Sequence, residues 1–325
     1  MRRREFITLL GGATAAWPLV ARAQQPAMPV VGFLRSTSAT DSEHLVSAFR
    51  DGLRDAGFVE GQNVAIEFRY AEGEGDRLPA LVADLVRRPV SVIVGNSAGA
   101  LAAKAVTRSV PIVFAYGGDP ISAGLVTSLN RPEGNVTGVV FITGTLGSKR
   151  LELFRQIVPK ATKIGLLVSP KSNETELERN DVQAAAHALG QQLITLDVTS
   201  DRDIETAFAT FVQGGAGALF IGTGTFTFSK REQLVALAAR HSLPASYAGR
   251  QFASIGGFMS YAADMSDAYR QVGVYTSRIL RGEKPADLPV TQSTKIEFVI
   301  NLKTARALGI SISPSLIALA DEVIE

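Results

Sequence analysis

Short β-rich runs alternate with amphipathic helical stretches along nearly the whole chain, and that rhythm admits few folds. Val30-Val31-Gly32-Phe33-Leu34 reads as a buried strand, and Thr40-Asp41-Ser42-Glu43 offers a capping box for a helix running to Ala56. A strand over 64–70, a helix over 77–88 closed by Pro89, a strand over 90–94, a helix over 98–108 and a strand over 112–115 follow. Repeated βαβ units imply a parallel sheet with helices on both faces. After a helix over 146–158 the rhythm restarts, with strands at 163–168, 192–197 and 218–221 and helices at 174–189, 201–212 and 230–241. Two similar halves therefore follow one another, without the fixed-period identity of a solenoid. Beyond them come a strand over 257–262, a helix over 264–281, a strand over 295–301 and a last helical stretch. A tail of both element types can serve both halves if the chain crosses between them again.

The first 23 residues follow a different logic. Arg3-Arg4 precede an apolar stretch, Ile7 to Val20, that runs into Ala21-Arg22-Ala23, an A-x-A-like cleavage site. This is the layout of a secretory signal, and the paired arginines resemble the twin-arginine export motif. The stretch falls short of the roughly 20 residues that span a bilayer. A periplasmic mature protein beginning near Gln24 is expected, with the twin-arginine and general secretory routes both open. Removing four arginines and one glutamate with that segment turns the net charge from +2 to −1. No basic excess then remains for a phosphate backbone, which argues against nucleic acid as a partner. No later apolar run is long enough to span a bilayer, so the mature chain is expected to be soluble.

The residue inventory also narrows the chemistry. The chain has no cysteine and only three histidines, His44, His187 and His241, without HExxH spacing, so neither thiol chemistry nor a histidine metal site is expected. No G-x-G-x-x-G follows a strand, and neither a P-loop nor a G-x-S-x-G elbow occurs. No catalytic residue, metal or cofactor is assigned.

Ligands of open parallel sheets bind beyond the carboxyl ends of the strands, where loops enter helix N-termini. Those loops are rich in small polar residues here: Arg35-Ser36-Thr37-Ser38, Gly95-Asn96-Ser97-Ala98 and Tyr116-Gly117-Gly118-Asp119 in the first half. The second half offers Ser169-Pro170-Lys171-Ser172-Asn173 and Gly222-Thr223-Gly224-Thr225-Phe226. Hydroxyls and free N–H groups at helix starts favour an anion, although Ser, Thr and Asn are also ordinary caps and turn formers. Candidate ligand contacts are Ser36, Thr37, Asn96, Ser97, Ala98, Asp119, Ser172, Asn173, Thr223 and Thr225. Tyr116, Phe226, Tyr247 and Tyr261 are candidate aromatic walls or equally core residues. Arg250, after a short strand ending at Tyr247, either clamps a carboxylate or holds a surface salt bridge.

The run from Ile112 through Asp119-Pro120 to Ala123-Gly124-Leu125 and Asn130-Arg131-Pro132-Glu133-Gly134-Asn135-Val136-Thr137-Gly138 resembles one family. Gly256-Gly257-Phe258-Met259-Ser260-Tyr261 and Val299-Ile300-Asn301-Leu302-Lys303-Thr304-Ala305 extend the resemblance over the mature chain. It is similar to the TrpX-like substrate-binding proteins of ABC transporters. The resemblance implies an α/β, type I periplasmic-binding-protein fold, two doubly wound parallel-sheet lobes joined by a three-stranded hinge. Residues 1–23 would be the export signal, 28–143 with 264–292 the first lobe, and 144–263 with 293–325 the second, hinged near Thr143, Asp264 and Gln292. In such relatives a Thr-rich helix start, at the place of Asn96-Ser97, takes the carboxylate of an aromatic amino acid. Their second-lobe turn carries an acid, whereas this chain has Thr223-Gly224-Thr225-Phe226, which with Arg250 points to an organic acid, aromatic or not. The implied role is the solute-binding component of an ABC-type importer. Its implied partners are a small organic acid or aromatic compound and the inner-membrane permease with its ATPase, and the protein itself a monomer. A periplasmic sensor for a signalling receptor and an exported hydrolase are the alternatives.

Overall fold

The computed structural model describes residues 28–141, 145–170 and 173–325. The expected export signal, Thr143 of the expected hinge and the candidate contact Ser172 lie outside them. The first half contains β1 (Val30–Arg35), α1 (Ala39–Asp55), β2 (Ala65–Tyr70), α2 (Leu78–Arg87), β3 (Val92–Asn96), α3 (Ser97–Val106), β4 (Ile112–Tyr116) and β5 (Val136–Phe141). The second opens with α4 (Gly147–Ile157), β6 (Lys163–Val168), α5 (Asn173–Ala188), β7 (Gln192–Asp197), α6 (Asp201–Gln213) and β8 (Ala218–Ile221). It continues with α7 (Thr225–Ser229), α8 (Arg231–Arg240), β9 (Ala245–Tyr247), α9 (Arg250–Ser254) and β10 (Met259–Ala263). The chain then runs through α10 (Met265–Leu280), β11 (Thr291–Ser293), β12 (Ile296–Asn301), α11 (Leu302–Ala307), α12 (Pro314–Leu319) and β13 (Glu322–Ile324).

Two sheets result, in the orders β11-β5-β4-β3-β1-β2 and β13-β12-β10-β9-β8-β6-β7. All neighbours are parallel except β10 and β12, which run antiparallel. The protein is thus an α/β fold of two parallel-sheet lobes. Each strand's period-two alternation feeds a different core on each face. Phe33, Val94 and Val113 pack with Phe49 of α1 and with Ala268, Tyr269 and Val272 of α10. Leu34, Ile93 and Phe114 pack instead with Val82 and Leu85 of α2 and Ala100 and Ala103 of α3. In the second sheet Leu166 and Phe220 join Phe154 of α4 and Val182 of α5, while Leu167 and Leu219 join Phe208 and Phe211 of α6 and Leu234 of α8.

Helix α10 follows the second sheet in the chain but belongs to the first. Its Gly273 and Gly52 of α1 let the two backbones touch: a Cβ on Gly52 would lie 2.0 Å from the Arg270 carbonyl oxygen, and one on Gly273 2.4 Å from that of Phe49. Strand β11 likewise pairs with β5, after which β12 returns to the second sheet.

Several local expectations change. The cap of α1 is Ser38, whose hydroxyl accepts from the Asp41 N–H at 3.2 Å; Thr40 and Asp41 lie inside the first turn, where the acid favours the helix dipole. The segment Thr225–Phe226, read as loop, opens α7, and Arg250 opens α9. No described helix is long and apolar enough to cross a membrane.

Candidate ligand cleft

The strand orders locate the site. Each sheet contains a reversal, between β1 and β3 in the first and between β6 and β8 in the second, and ligands of doubly wound sheets sit outside the carboxyl ends of strands at that reversal. A cavity of about 190 Å³ lies there, walled on one side by Arg35, Thr37, Asn96 and Ser97 and on the other by Arg150, Glu178, Thr223 and Thr225. It is smaller than the ~300–1,000 Å³ of drug-sized pockets, which suits one small molecule.

The first wall is built from Arg35, the last residue of β1, and the turn into α1. Arg35 is only 7% exposed. Its Nε donates to Ser42 Oγ at 3.3 Å, its Nη2 to Thr37 Oγ1 at 3.3 Å, and its Nη1 to the Tyr269 hydroxyl. All three acceptors are neutral. The Asn96 side chain caps α3: its Oδ1 accepts from the N–H groups of Gly99 (3.3 Å) and Ser36 (3.2 Å), and its Nδ2 donates to Ser36 Oγ at 2.7 Å. Ser36 and Asn96 therefore hold the two loops together, and Thr37 and Ser97 face the cavity.

The second wall holds paired charges. Arg150 of α4 and Glu178 of α5 form a wholly buried ion pair, Nη2 to Oε1 at 3.0 Å, and the same Nη2 donates to the Ile221 carbonyl at 2.9 Å. Glu178 Oε2 also accepts from the Thr223 N–H at 2.5 Å, which fixes the turn after β8. Burial lowers the Arg150 pKa to about 10, so it stays charged, with Glu178 opposing the shift; burial raises that of Glu178 against the pull of Arg150 and Thr223. Arg150 Nε and Nη1 have no hydrogen-bond partner, but the guanidinium carbon lies 3.7 Å from the centroid of the Phe220 ring. Arg250 Nε meets Glu297 at 3.2 Å and its Nη2 meets Glu322. At the start of α10 Lys295 Nζ meets Asp264 at 2.9 Å; burial alone would raise the Asp264 pKa, yet this bond and the N–H groups of the α10 start hold it low.

Across the cleft mouth the lobes touch directly. Arg231 Nη1 of α8 reaches Asp41 Oδ1 of α1 at 2.5 Å, and Gln251 Nε2 of α9 reaches His44 Nε2 of α1 at 2.8 Å. His44 is desolvated and close to Arg35, Arg250 and Arg231, which lowers its pKa to about 4 and keeps it neutral. These two contacts join the lobes directly.

Of the residues expected from sequence, Thr37, Asn96, Ser97, Thr223, Thr225, Arg250 and Tyr261 line the cavity. Ser36 stands behind Asn96, and Ala98 is exposed on α3. Tyr116 packs beside the core, edge-on to Phe114 at 6.3 Å, and exposed Asp119 accepts from the Ile121 N–H within its own turn. Asn173 begins α5. Phe226 packs against the core, and Tyr247 is buried and stacked on Phe252 at 4.7 Å. Sequence reasoning missed Arg150, Glu178, His44 and Tyr269 as wall residues. Their helical positions carry no loop signature. Arg35 stood in a loop already marked for a ligand, and its position as the last residue of a buried strand was the available signal.

The family model for ABC transporter substrate-binding proteins matches residues 31–324, so the chain belongs to that family. It is 25% identical over 261 residues, 80% of this chain and 75% of the other, to a tyrosine-binding protein of Clostridioides difficile. It superposes with a TM-score of 0.82, at 27% identity and covering 91% of this chain and 99% of the other, on an ABC domain from Streptococcus pneumoniae in complex with L-Trp. A conserved domain protein from Vibrio cholerae shares the fold, with a TM-score of 0.82, 24% identity and the same coverage.

Proposed function

We propose that this member of the substrate-binding family is the solute receptor of an ABC-type importer and closes on one small carboxylate or aromatic compound. A cavity whose opposite walls come from different sheets, with direct contacts between the lobes at its mouth, carries the reading. The lobes are residues 28–143 with 264–292 and 144–263 with 293–325, turning about the crossings near Thr143, Asp264 and Gln292. Closure turns occupancy into a shape that the permease and its ATPase can distinguish, provided that the ligand favours the closed state by differential contacts. The reading needs no covalent chemistry, and the relatives are binding proteins rather than enzymes. Two of them bind aromatic amino acids by name, which supports a planar or ring-bearing solute. Thr37, Ser97, Thr223, Thr225 and Tyr261 are its wall contacts in this proposal, and residues 1–23 direct export to the periplasm.

A thermal-shift screen of the purified mature protein against a broad metabolite panel tests this. A solute at 100 times its Kd stabilises the folded form by about 2.7 kcal/mol, a readily measured rise in Tm. No shift with any class at millimolar concentration would remove the receptor reading.

A further inference from the structure

Among the described residues of the cleft, every lysine and arginine but one touches a carboxylate. Arg150 faces Glu178, Arg250 faces Glu297 and Glu322, Lys295 faces Asp264, and Arg231 at the mouth faces Asp41. Arg35 has no carboxylate partner among the described residues, although it is 93% buried. Its hydrogen bonds to Ser42, Thr37 and Tyr269 engage three of the five N–H donors of a guanidinium, leaving two. A buried charge without a counter-charge is costly. The cost is relieved when an anion enters.

The carboxylates on the walls give the complementary half of the argument. Glu178, Asp264 and Glu297 line the cavity, and each is already in an ion pair, Glu178 with Arg150, Asp264 with Lys295, and Glu297 with Arg250, which it shares with Glu322. Among the described residues, an α-ammonium group entering the cleft thus finds no carboxylate outside an ion pair, whereas a carboxylate finds one guanidinium without an acidic partner. Thr37, whose Oγ1 meets Arg35 Nη2, and Ser97 line the same cavity and supply neutral hydroxyls to the anion in this reading.

Resting on the receptor reading above, we infer that Arg35 anchors the ligand and that the ligand is a monocarboxylate without an ammonium group. The carboxylate sits on the first lobe, on the free edge of Arg35, and the remainder of the molecule extends to the Thr223–Thr225 turn and Tyr261. This chain therefore separates from its tyrosine- and tryptophan-binding relatives in ligand charge and not in fold.

The test uses matched probes on the intact mature protein. Each set shares one skeleton: 3-phenylpropanoate, its amide and L-phenylalanine; indole-3-propanoate, its amide and L-tryptophan; 4-methylpentanoate, its amide and L-leucine. Calorimetric titration and thermal shift are expected to show binding to at least one acid, at least ~10-fold tighter than to its amide and its amino acid. Arg35→Gln should weaken that acid by roughly 10- to 150-fold while leaving the amide unchanged, and Arg35→Lys should recover part of the loss. If Arg35→Gln does not fold, the charge preference of the native protein decides alone. An amide or amino acid binding as tightly as its acid, or an acid whose affinity survives Arg35→Gln, overturns the inference. A broad-panel ligand that is neutral or cationic overturns it too, and leaves the receptor reading standing; silence from every class removes both.

Discussion

The two walls of the cleft solve opposite problems with the same residue type. On the second wall each arginine that lines the cavity is married to a carboxylate: Arg150 to Glu178 in full burial, Arg250 to Glu297 and Glu322 at partial exposure. In the first, Arg35 is surrounded by hydroxyls from Thr37, Ser42 and Tyr269. An internally neutralised wall holds its shape whether or not a solute is present. A wall with an unmatched cation is held ready for one. Arginine in a cleft therefore says little by itself; its partners decide whether it is scaffold or recognition.

Breaking the compensated wall should have the largest effect. Glu178→Ala leaves Arg150 charged and buried, and removal of one partner of such a pair costs about 3–5 kcal/mol, to be read as a lower denaturant midpoint. Replacing both residues by apolar ones, Arg150→Met with Glu178→Leu, should recover most of that loss. A double variant as unstable as the single one would mean that the pair is held for geometry, through the Thr223 N–H, more than for charge.

A smaller change should follow at the mouth. Asp41→Asn removes the charge facing Arg231, in a pair whose side chains are 15% and 17% exposed. The expected loss of about 1 kcal/mol falls on the closed state, so solute dissociation should speed up about five-fold with little change in association. Stopped-flow release measures it. Equal slowing of association would show that Asp41 acts on the open form instead.

Arg250→Gln sharpens the contrast between the arginines. Its charges are matched within the second lobe and its side chain is 42% exposed, so stability should change by no more than about 1 kcal/mol and solute affinity by less than that. A loss of affinity comparable with that of Arg35→Gln would assign the clamp to the wrong wall here.

The weakest expected effect is a pH drift. His44 has a folded pKa of about 4 against 6.5 when unfolded, so the unfolded chain binds the proton first as pH falls. Stability is therefore complete above about pH 6.5 and declines as pH falls towards 4. His44→Gln, which keeps a polar partner for Gln251, should flatten that part of the Tm–pH curve. An unchanged slope would place the titration on other groups.

Fold and site were legible to different depths. The strands at 163–168, 192–197 and 218–221 match the structure residue for residue, because short apolar runs between turn signals leave little freedom in their ends. Strand β5 escaped notice, its apolar run interrupted by Thr137 and Gly138, and α7 and α9 escaped because each follows a glycine, Gly224 or Gly249, without a side-chain cap. The loops at the cleft were readable as loops. Their electrostatics were not: Glu178 lies 28 residues from Arg150, and Glu322 lies 72 from Arg250. No local spacing reveals which cations are already matched, and that decides the site.

The position of α10 in the chain has a further consequence, for the order of events at synthesis. The first lobe needs Ala268, Tyr269 and Val272 to close its core and β11 to cover the edge of β5, yet about 140 residues separate Phe141 from the end of α10. At ~5–20 residues per second the nascent first lobe waits roughly 7–28 s with an open apolar face and an unpaired strand edge. The lobe that starts first finishes late, and during that interval its open face and strand edge are the aggregation-prone part of the chain.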